Sequence, residues 1–272
     1  MTAERYDRSP FRGEIDREFG SPEFVAALGR LREIVADPRS EILLRGRNTV
    51  VAAEIPASAT APIPCVVKSY RTAGLQRLKT LLLPSKAARA WRGARALAAA
   101  GIETPRPLAY LERRAGGLVV ESYFVSERVP GLPEIRALFC DPGADGLRPP
   151  LAALAAHVAA LHRAGLLHRD LSDGNILVRR EGGTFSFVFL DTNRVRSGRR
   201  LGGFRRARNL VRLGIPPADR MFFLERYAEA RGEKFRRVFV LYYKSAKITF
   251  AAWLRAKKAL RLKKAARALR IQ

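Results

Sequence analysis

His168-Arg169-Asp170-Leu171-Ser172-Asp173-Gly174-Asn175, followed by Ile176-Leu177-Val178, is the stretch on which the reading of this chain turns. It sets an acid, Asp170, five residues ahead of an amide, Asn175, and runs straight into apolar sequence. Sixteen residues beyond Asn175 a second acid, Asp191, closes another apolar run, Phe185–Leu190. Asp, Ser, Gly and Asn are turn formers, so a plain turn is the alternative reading of the eight residues. The fixed order of His, Arg, Asp and Asn, with a strand-borne acid downstream, argues against that alternative.

Every fixed position of the pattern H-R-D-L-x-x-x-N, a phosphoryl-transfer catalytic loop, is filled here. In that chemistry Asp170 accepts or orients the proton of an incoming hydroxyl. Five residues on, the chain has turned enough for the Asn175 amide oxygen to reach a metal on the phosphate side. Asp191 supplies the ionised oxygen that magnesium, a hard cation, prefers.

Working outward towards the N-terminus, residues 41–70 read as three strands. Glu41–Leu44 and Thr49–Ile55 flank a turn, Arg45-Gly46-Arg47-Asn48, and Pro64–Tyr70 carries Lys68 after Val66 and Val67. A lysine leaving an apolar strand fits the phosphate-gripping position of V-A-I-K, with a solvent-facing strand lysine as the alternative. The turn has a single glycine, so any phosphate cover there comes from backbone amides with Arg45 and Arg47 adding charge. Pro84–Ala100 is alanine- and arginine-rich and helix-forming, and Gly101 stops it. No Asp or Glu occurs from Ser69 to Ile102, so the acid that such a helix ordinarily offers the strand lysine is missing near Ala90; either another acid such as Asp191 holds Lys68 or the lysine is organised differently. Strands follow near Leu108–Leu111 and at Leu118–Val125, and Ser126–Gly131 reads as a hinge whose main chain near Glu127 and Val129 bonds an adenine.

On the other side, Leu151, Leu154, Ala155, Val158 and Leu161 share one face of a helix over Leu151–Ala164. His157 and His162 on it have no ligand spacing around them and read as structural. After Asp191, Thr192-Asn193-Arg194 stands where many kinases have Phe-Gly, and Asn193 is suited either to satisfy backbone groups or to take a left-handed turn as glycine does. Helices are expected over Phe204–Leu213, over Pro217–Ala230 with Met221, Phe222, Leu224 and Tyr227 in the core, and over Phe235–Ile271. Residues 1–40 carry a helical pattern with Phe24, Leu28, Leu31 and Ile34 on one face, an extension packed on the first lobe.

The 272 residues suffice for one large core or two modest lobes, and the 47% hydrophobic content argues against disorder. The 51 Lys+Arg against 25 Asp+Glu give +26, a balance that selects anionic partners. Eight of those cations fall in Leu254–Arg270 without one acid, which suits an anionic membrane surface, a solvated helix end or phosphate-rich nucleic acid. No specific nucleic-acid motif accompanies them. Cys65 and Cys140 cannot build a disulfide framework and read as buried small side chains. The N-terminus has no signal-peptide core, and no apolar run approaches the roughly 18 residues of a membrane span, so a cytoplasmic protein is expected.

With Lys68, the hinge, His168–Asn175 and Asp191 in order, the chain resembles kinase-fold phosphotransferases, and more narrowly the bacterial lipopolysaccharide kinase family. The narrower likeness rests on Lys86–Trp91 running into Ala99–Ala109, on His168–Val178, on Phe189–Arg194 and on Arg208–Leu213, within residues 40–230. It implies an α+β, two-lobed protein-kinase-like fold: a small antiparallel-sheet lobe plus a mainly helical lobe. The expected parts are 1–40, an N-terminal helical extension; 41–128, the lobe that grips the nucleotide; and 129–272, the lobe with the catalytic loop and basic C-terminal helix. The resemblance further implies ATP and Mg2+ as cofactors and an anionic glycolipid acceptor, the heptose or 3-deoxy-octulosonic acid of the lipopolysaccharide core. It puts Lys68 on the nucleotide phosphates, Asp170 as catalytic base, Arg169 bracing the loop, and Asn175 and Asp191 on magnesium, at the inner face of the cytoplasmic membrane. Two rivals remain: a kinase of the same fold acting on a small molecule or protein, and a catalytically weak kinase-like protein that docks on anionic membrane.

Overall fold

A computed structural model describes residues 2–46, 48–57, 61–72, 74–143, 146–198 and 201–269, with side chains for all of these except 75, 76 and 261–269. In chain order the elements are β1 (Ala3–Arg8), β2 (Phe11–Asp16), α1 (Pro22–Gly29), α2 (Leu31–Ala36), β3 (Glu41–Arg45), β4 (Asn48–Pro56) and β5 (Pro62–Arg71). Then come α3 (Leu75–Leu78), α4 (Lys86–Ala99), β6 (Pro107–Ala115), β7 (Leu118–Glu127), α5 (Ile135–Cys140) and α6 (Arg148–Arg163). The chain continues through β8 (Leu166–His168), β9 (Ile176–Glu181), β10 (Thr184–Phe189), β11 (Val195–Ser197), α7 (Gly203–Leu210), α8 (Arg220–Ala230) and α9 (Arg237–Leu269). They form two compact units, Met1–Pro133 with Asn175–Ser197, and Glu134–Gly174 with Gly198–Gln272.

The first unit is built on a seven-stranded antiparallel sheet in the order β1-β2-β6-β7-β5-β4-β3. Strand side chains alternate faces, and β5 shows the consequence. Cys65 and Val67 enter the core that α1 and α2 cover with Phe24, Leu28 and Leu31, whereas Tyr70 joins the core formed with Trp91, Ala90 and Ala94 of α4. Lys68, in step with Tyr70, therefore leaves the sheet on the α4 face. The β1–β2 hairpin, which extends the sheet, has no counterpart in the expected reading of residues 1–40. Its polar alternation reads as mixed charge, and only Tyr6, Phe11 and Ile15 signal a buried side.

Helix α4 starts at Ser85, whose hydroxyl accepts from the Ala88 amide at 3.0 Å, and ends at Gly101, which sits at φ 70°. Glu14 of β2 clamps it from the sheet, accepting from Trp91 Nε1 at 2.9 Å and from the Tyr110 hydroxyl at 3.2 Å. The β9–β10 hairpin belongs to this unit through the Val178 amide on Pro133 O at 2.9 Å, the Phe189 amide on Glu103 O at 2.9 Å and the Thr104 hydroxyl on Phe189 O at 2.7 Å.

The second unit is helical. The α6 face formed by Leu151, Leu154, Ala155, Val158 and Leu161 is fully buried, as its spacing predicts, each leucine contributing roughly 1.5–3 kcal/mol. In α8 the buried positions are Phe223, Leu224 and Tyr227, while Met221 is exposed and Phe222 only half-buried. The expected stripe was thus shifted by one residue at the helix start, where the Pro217–Asp219 turn precedes the helix. Cys140 corrects another expectation: it ends α5 and is exposed, while Cys65 is buried and its thiol pKa is pushed up to about 12 by burial.

Candidate active site

Asp191 sits at the end of β10 in the left-handed region, φ 52° and ψ 47°, the one described non-glycine residue there. Asn193, for which a left-handed turn was one of two readings, lies buried in the following 3-10 turn and donates Nδ2 to Asp191 Oδ1 at 2.8 Å. Asp tolerates the left-handed region better than most residues, and a strained backbone at an acid of this kind is a mark of function.

Helix α4 holds this turn through its backbone. Thr192 donates its hydroxyl to the carbonyl of Ala90 at 2.9 Å. One turn later Gly93 makes the close approach possible, since a Cβ there would stand 2.1 Å from Thr192 O. The position near Ala90, where sequence reasoning looked for a glutamate, braces Asp191 with a carbonyl oxygen instead. The charge that Lys68 feels is that of Asp191 itself: burial pushes the ammonium's pKa down, and the carboxylate draws it partly back. Across the hairpin base the Leu190 amide donates to Asn175 O at 2.9 Å, which sets the starts of the two catalytic segments side by side. Cations surround the group. Arg194 lies 4.0 Å from Asp191, and Lys86 Nζ donates to Asn48 Oδ1 at 3.2 Å beside the Tyr70 ring. Burial and the neighbouring Arg194 lower the pKa of Arg89.

In the second unit the loop His168–Gly174 is tied down from three sides. Arg212, just past α7, donates Nη1 to Asp170 Oδ1 at 2.6 Å and to Arg169 O at 2.7 Å, and its guanidinium stacks on Phe250 of α9 at 5.2 Å. Asn209 donates to His168 O at 2.7 Å and accepts from or shares a proton with His162 Nε2 at 2.9 Å, whose Nδ1 meets the Tyr227 hydroxyl at 2.7 Å. Desolvation pushes the His162 pKa down to about 4, so the ring is neutral at pH 7. Arg136 of α5 grips Asp173 through two bonds of 3.2 Å. Arg212, Asn209, His162 and Arg136 were not foreseen in this role, because each acts across tens of residues and leaves no periodic trace. The only hint was that Arg208–Leu213 is a motif-like cluster.

The hinge expectation narrows. The Glu127 amide already donates to Arg106 O at 2.9 Å and the Arg128 amide to Pro64 O at 2.9 Å, so a base would call on the Glu127 carbonyl or the Val129 main chain. Arg45 closes β3 opposite Thr49, while Arg47 lies outside the described residues. Among the described residues no group of three or more His, Cys, Asp or Glu gathers as a metal cage. Magnesium does not require one: it takes one or two protein oxygens and fills its octahedron with water and phosphate. An Asp191 carboxylate with an Asn175 amide oxygen would fit that habit.

The profile of the lipopolysaccharide kinase (Kdo/WaaP) family matches residues 70–230, more than half of the sequence. The chain belongs to this family. This lipopolysaccharide kinase thus carries Asp170, Asn175 and Asp191 inside the matched span, with Lys68 two residues before it. No curated protein sequence matches the kinase. Among solved structures it is similar to one described as WaaP in complex with acyl carrier protein, at 20% identity and a TM-score of 0.59, over 87% of this chain and 95% of that one. That likeness carries the fold: the kinase has the α+β, protein-kinase-like architecture. Among the described residues no helix is long and apolar enough to cross a membrane.

Proposed function

We propose that the chain moves the γ-phosphoryl group of ATP to a hydroxyl of a lipopolysaccharide core sugar. Asp191 and Asn175 are the residues to hold Mg2+, and Lys68 is the cation for the nucleotide phosphates, with Val129 as the main-chain donor to the adenine. Bound there, the metal neutralises charge that develops on the phosphoryl oxygens. The protein's own work is positioning. Asp170 receives the acceptor hydroxyl, and Arg212, bonded to its Oδ1, holds the carboxylate in one orientation. Arg169 lends its carbonyl to the same clamp.

The single observation that carries this reading is the turn that presents Asp191, at φ 52° and tied to α4 by the Thr192 hydroxyl on Ala90 O at 2.9 Å, on the face from which Lys68 leaves the sheet. The Asp191 charge acts on Lys68, which supports an acid for the lysine although Ser69–Ile102 contains none. In this reading 41–128, with the 175–197 segment of the same unit, grips the nucleotide, the rest of 129–272 brings the acceptor, and 1–40 completes the sheet and core of the first unit. The basic stretch 254–270 meets the anionic glycolipid or the membrane that carries it, at the cytoplasmic face; its side chains beyond 260, and residue 270, lie outside the described residues. The test is transfer in vitro over a panel of acceptors: lipopolysaccharide core sugars, small polyols and a basic protein. A gain of one phosphate by mass on a core sugar supports the proposal. Transfer confined to the small molecule or the protein would reassign the acceptor, and no transfer to any of them would refute the reading.

A further inference from the structure

Between β5 and α4 the chain inverts the usual rule of burial. In Arg77-Leu78-Lys79-Thr80-Leu81-Leu82-Leu83 the buried residue is the threonine, and the leucines face out: Leu78 is 55% exposed, Leu81 59%, Leu82 90% and Leu83 56%. The arrangement is fixed by hydrogen bonds. The Thr80 hydroxyl donates to Arg77 O at 2.5 Å and accepts from the Val119 amide of β7 at 3.0 Å, while Arg77 Nε donates to Thr72 O at 2.8 Å. The segment is thereby pinned to the sheet by its polar residue and presents four exposed leucines as a knob. A contiguous apolar protrusion of this kind marks an interaction surface.

Charge says what the partner is. Arg71, Arg77 and Lys79 flank the knob, all exposed, and Ser69–Ile102 holds seven Lys or Arg without an acid. We propose that residues 77–83 insert into the headgroup and acyl boundary of a bilayer rich in anionic phospholipid. Aliphatic side chains that stand out from the surface, ringed by cations, match such a boundary, where the leucines meet chains and the cations meet phosphates. Protein interfaces draw their anchors from Trp, Tyr and Arg in pockets, and the knob offers neither a pocket nor an aromatic ring. The surface lies in the first unit, apart from residues 254–270, and the inference needs no transfer chemistry.

The experiment uses the full chain and phosphatidylcholine vesicles with and without phosphatidylglycerol, free of nucleotide and sugar acceptor, so it stands apart from the transfer assay. A polarity-sensitive fluorophore is placed at Leu82→Cys in a Cys140→Ser background. Its emission should shift to the blue with the anionic vesicles only. In flotation, Leu82→Asp/Leu83→Asp should lower partitioning roughly a hundredfold, about 2.8 kcal/mol at 1.4 kcal/mol per tenfold, at an unchanged melting temperature. An unshifted probe on a chain that floats overturns the proposal, because residues 254–270 then hold the vesicle alone. Failure to float, or a shift given only by an added acidic protein, overturns it as well.

Discussion

Replacing Arg212 by methionine removes the cation from Asp170 while keeping an apolar stem over Phe250. The lost contacts are the 2.6 Å bond to the carboxylate and the 2.7 Å bond to Arg169 O. Hydrogen bonds to a charged group contribute roughly 1.5–3 kcal/mol. Arg212 and Asp170 are 28% and 32% exposed, so solvent screens the pair and about 1.5 kcal/mol is the fitting figure. If that interaction holds the carboxylate in its reactive pose, turnover falls about tenfold. Steady-state kinetics should show the loss in kcat, with the KM for ATP unmoved, because Arg212 touches no residue assigned to the nucleotide. Phe250→Ala removes the ring beneath the guanidinium and should cost a smaller factor, about two- to fivefold, from the ~0.5–1 kcal/mol of an exposed cation–π contact. Wild-type kcat in a folded Arg212→Met protein would refute the assignment of this arginine as the positioning group.

Other expectations follow from the same geometry. Lys68→Met should abolish turnover yet raise the melting temperature, because the folded state depresses the lysine pKa and so disfavours its charge at neutral pH; a lower melting temperature contradicts this. His162 takes up its proton at about 4 when folded against 6.5 ordinarily, so stability holds above pH 6.5 and is lost as pH falls through that window. The full loss is about 3 kcal/mol, read by urea unfolding at stepped pH, and His162→Gln should flatten the slope. Gly93→Ala, which would favour an ordinary helix by roughly 0.8–1 kcal/mol, should here destabilise by roughly 1–3 kcal/mol and depress turnover, since its Cβ meets Thr192 O. An Ala variant as active and stable as the parent would mean that α4 does not brace Asp191.

The strands and helices that bear the motif were legible because their signals are local. Val66–Lys68, the Phe185–Leu190 run and the five-residue face of α6 each announce themselves within a dozen residues, and β5, β10 and α6 stand where those signals fall. What stayed hidden depends on contacts distant in sequence. Nothing in Ala90 or Gly93 tells that Thr192, 102 residues beyond Ala90, will bond the one through its hydroxyl and crowd the other with its carbonyl. The same holds for Arg212, 42 residues from Asp170, and for Glu14, 77 residues from Trp91. The β1–β2 hairpin escaped because an edge ribbon with one apolar side of three residues resembles charged coil. The left-handed residue is Asp191 rather than Asn193, because Asn and Asp tolerate that region alike and sequence does not choose between them.

The most direct measurement is label transfer from γ-labelled ATP with magnesium to lipopolysaccharide core acceptor, run on the wild type and on Asp170→Ala and Asp191→Ala proteins of equal thermal stability. The account predicts a phosphorylated core sugar from the wild type and none above background from either variant. Equal transfer by the variants would contradict it.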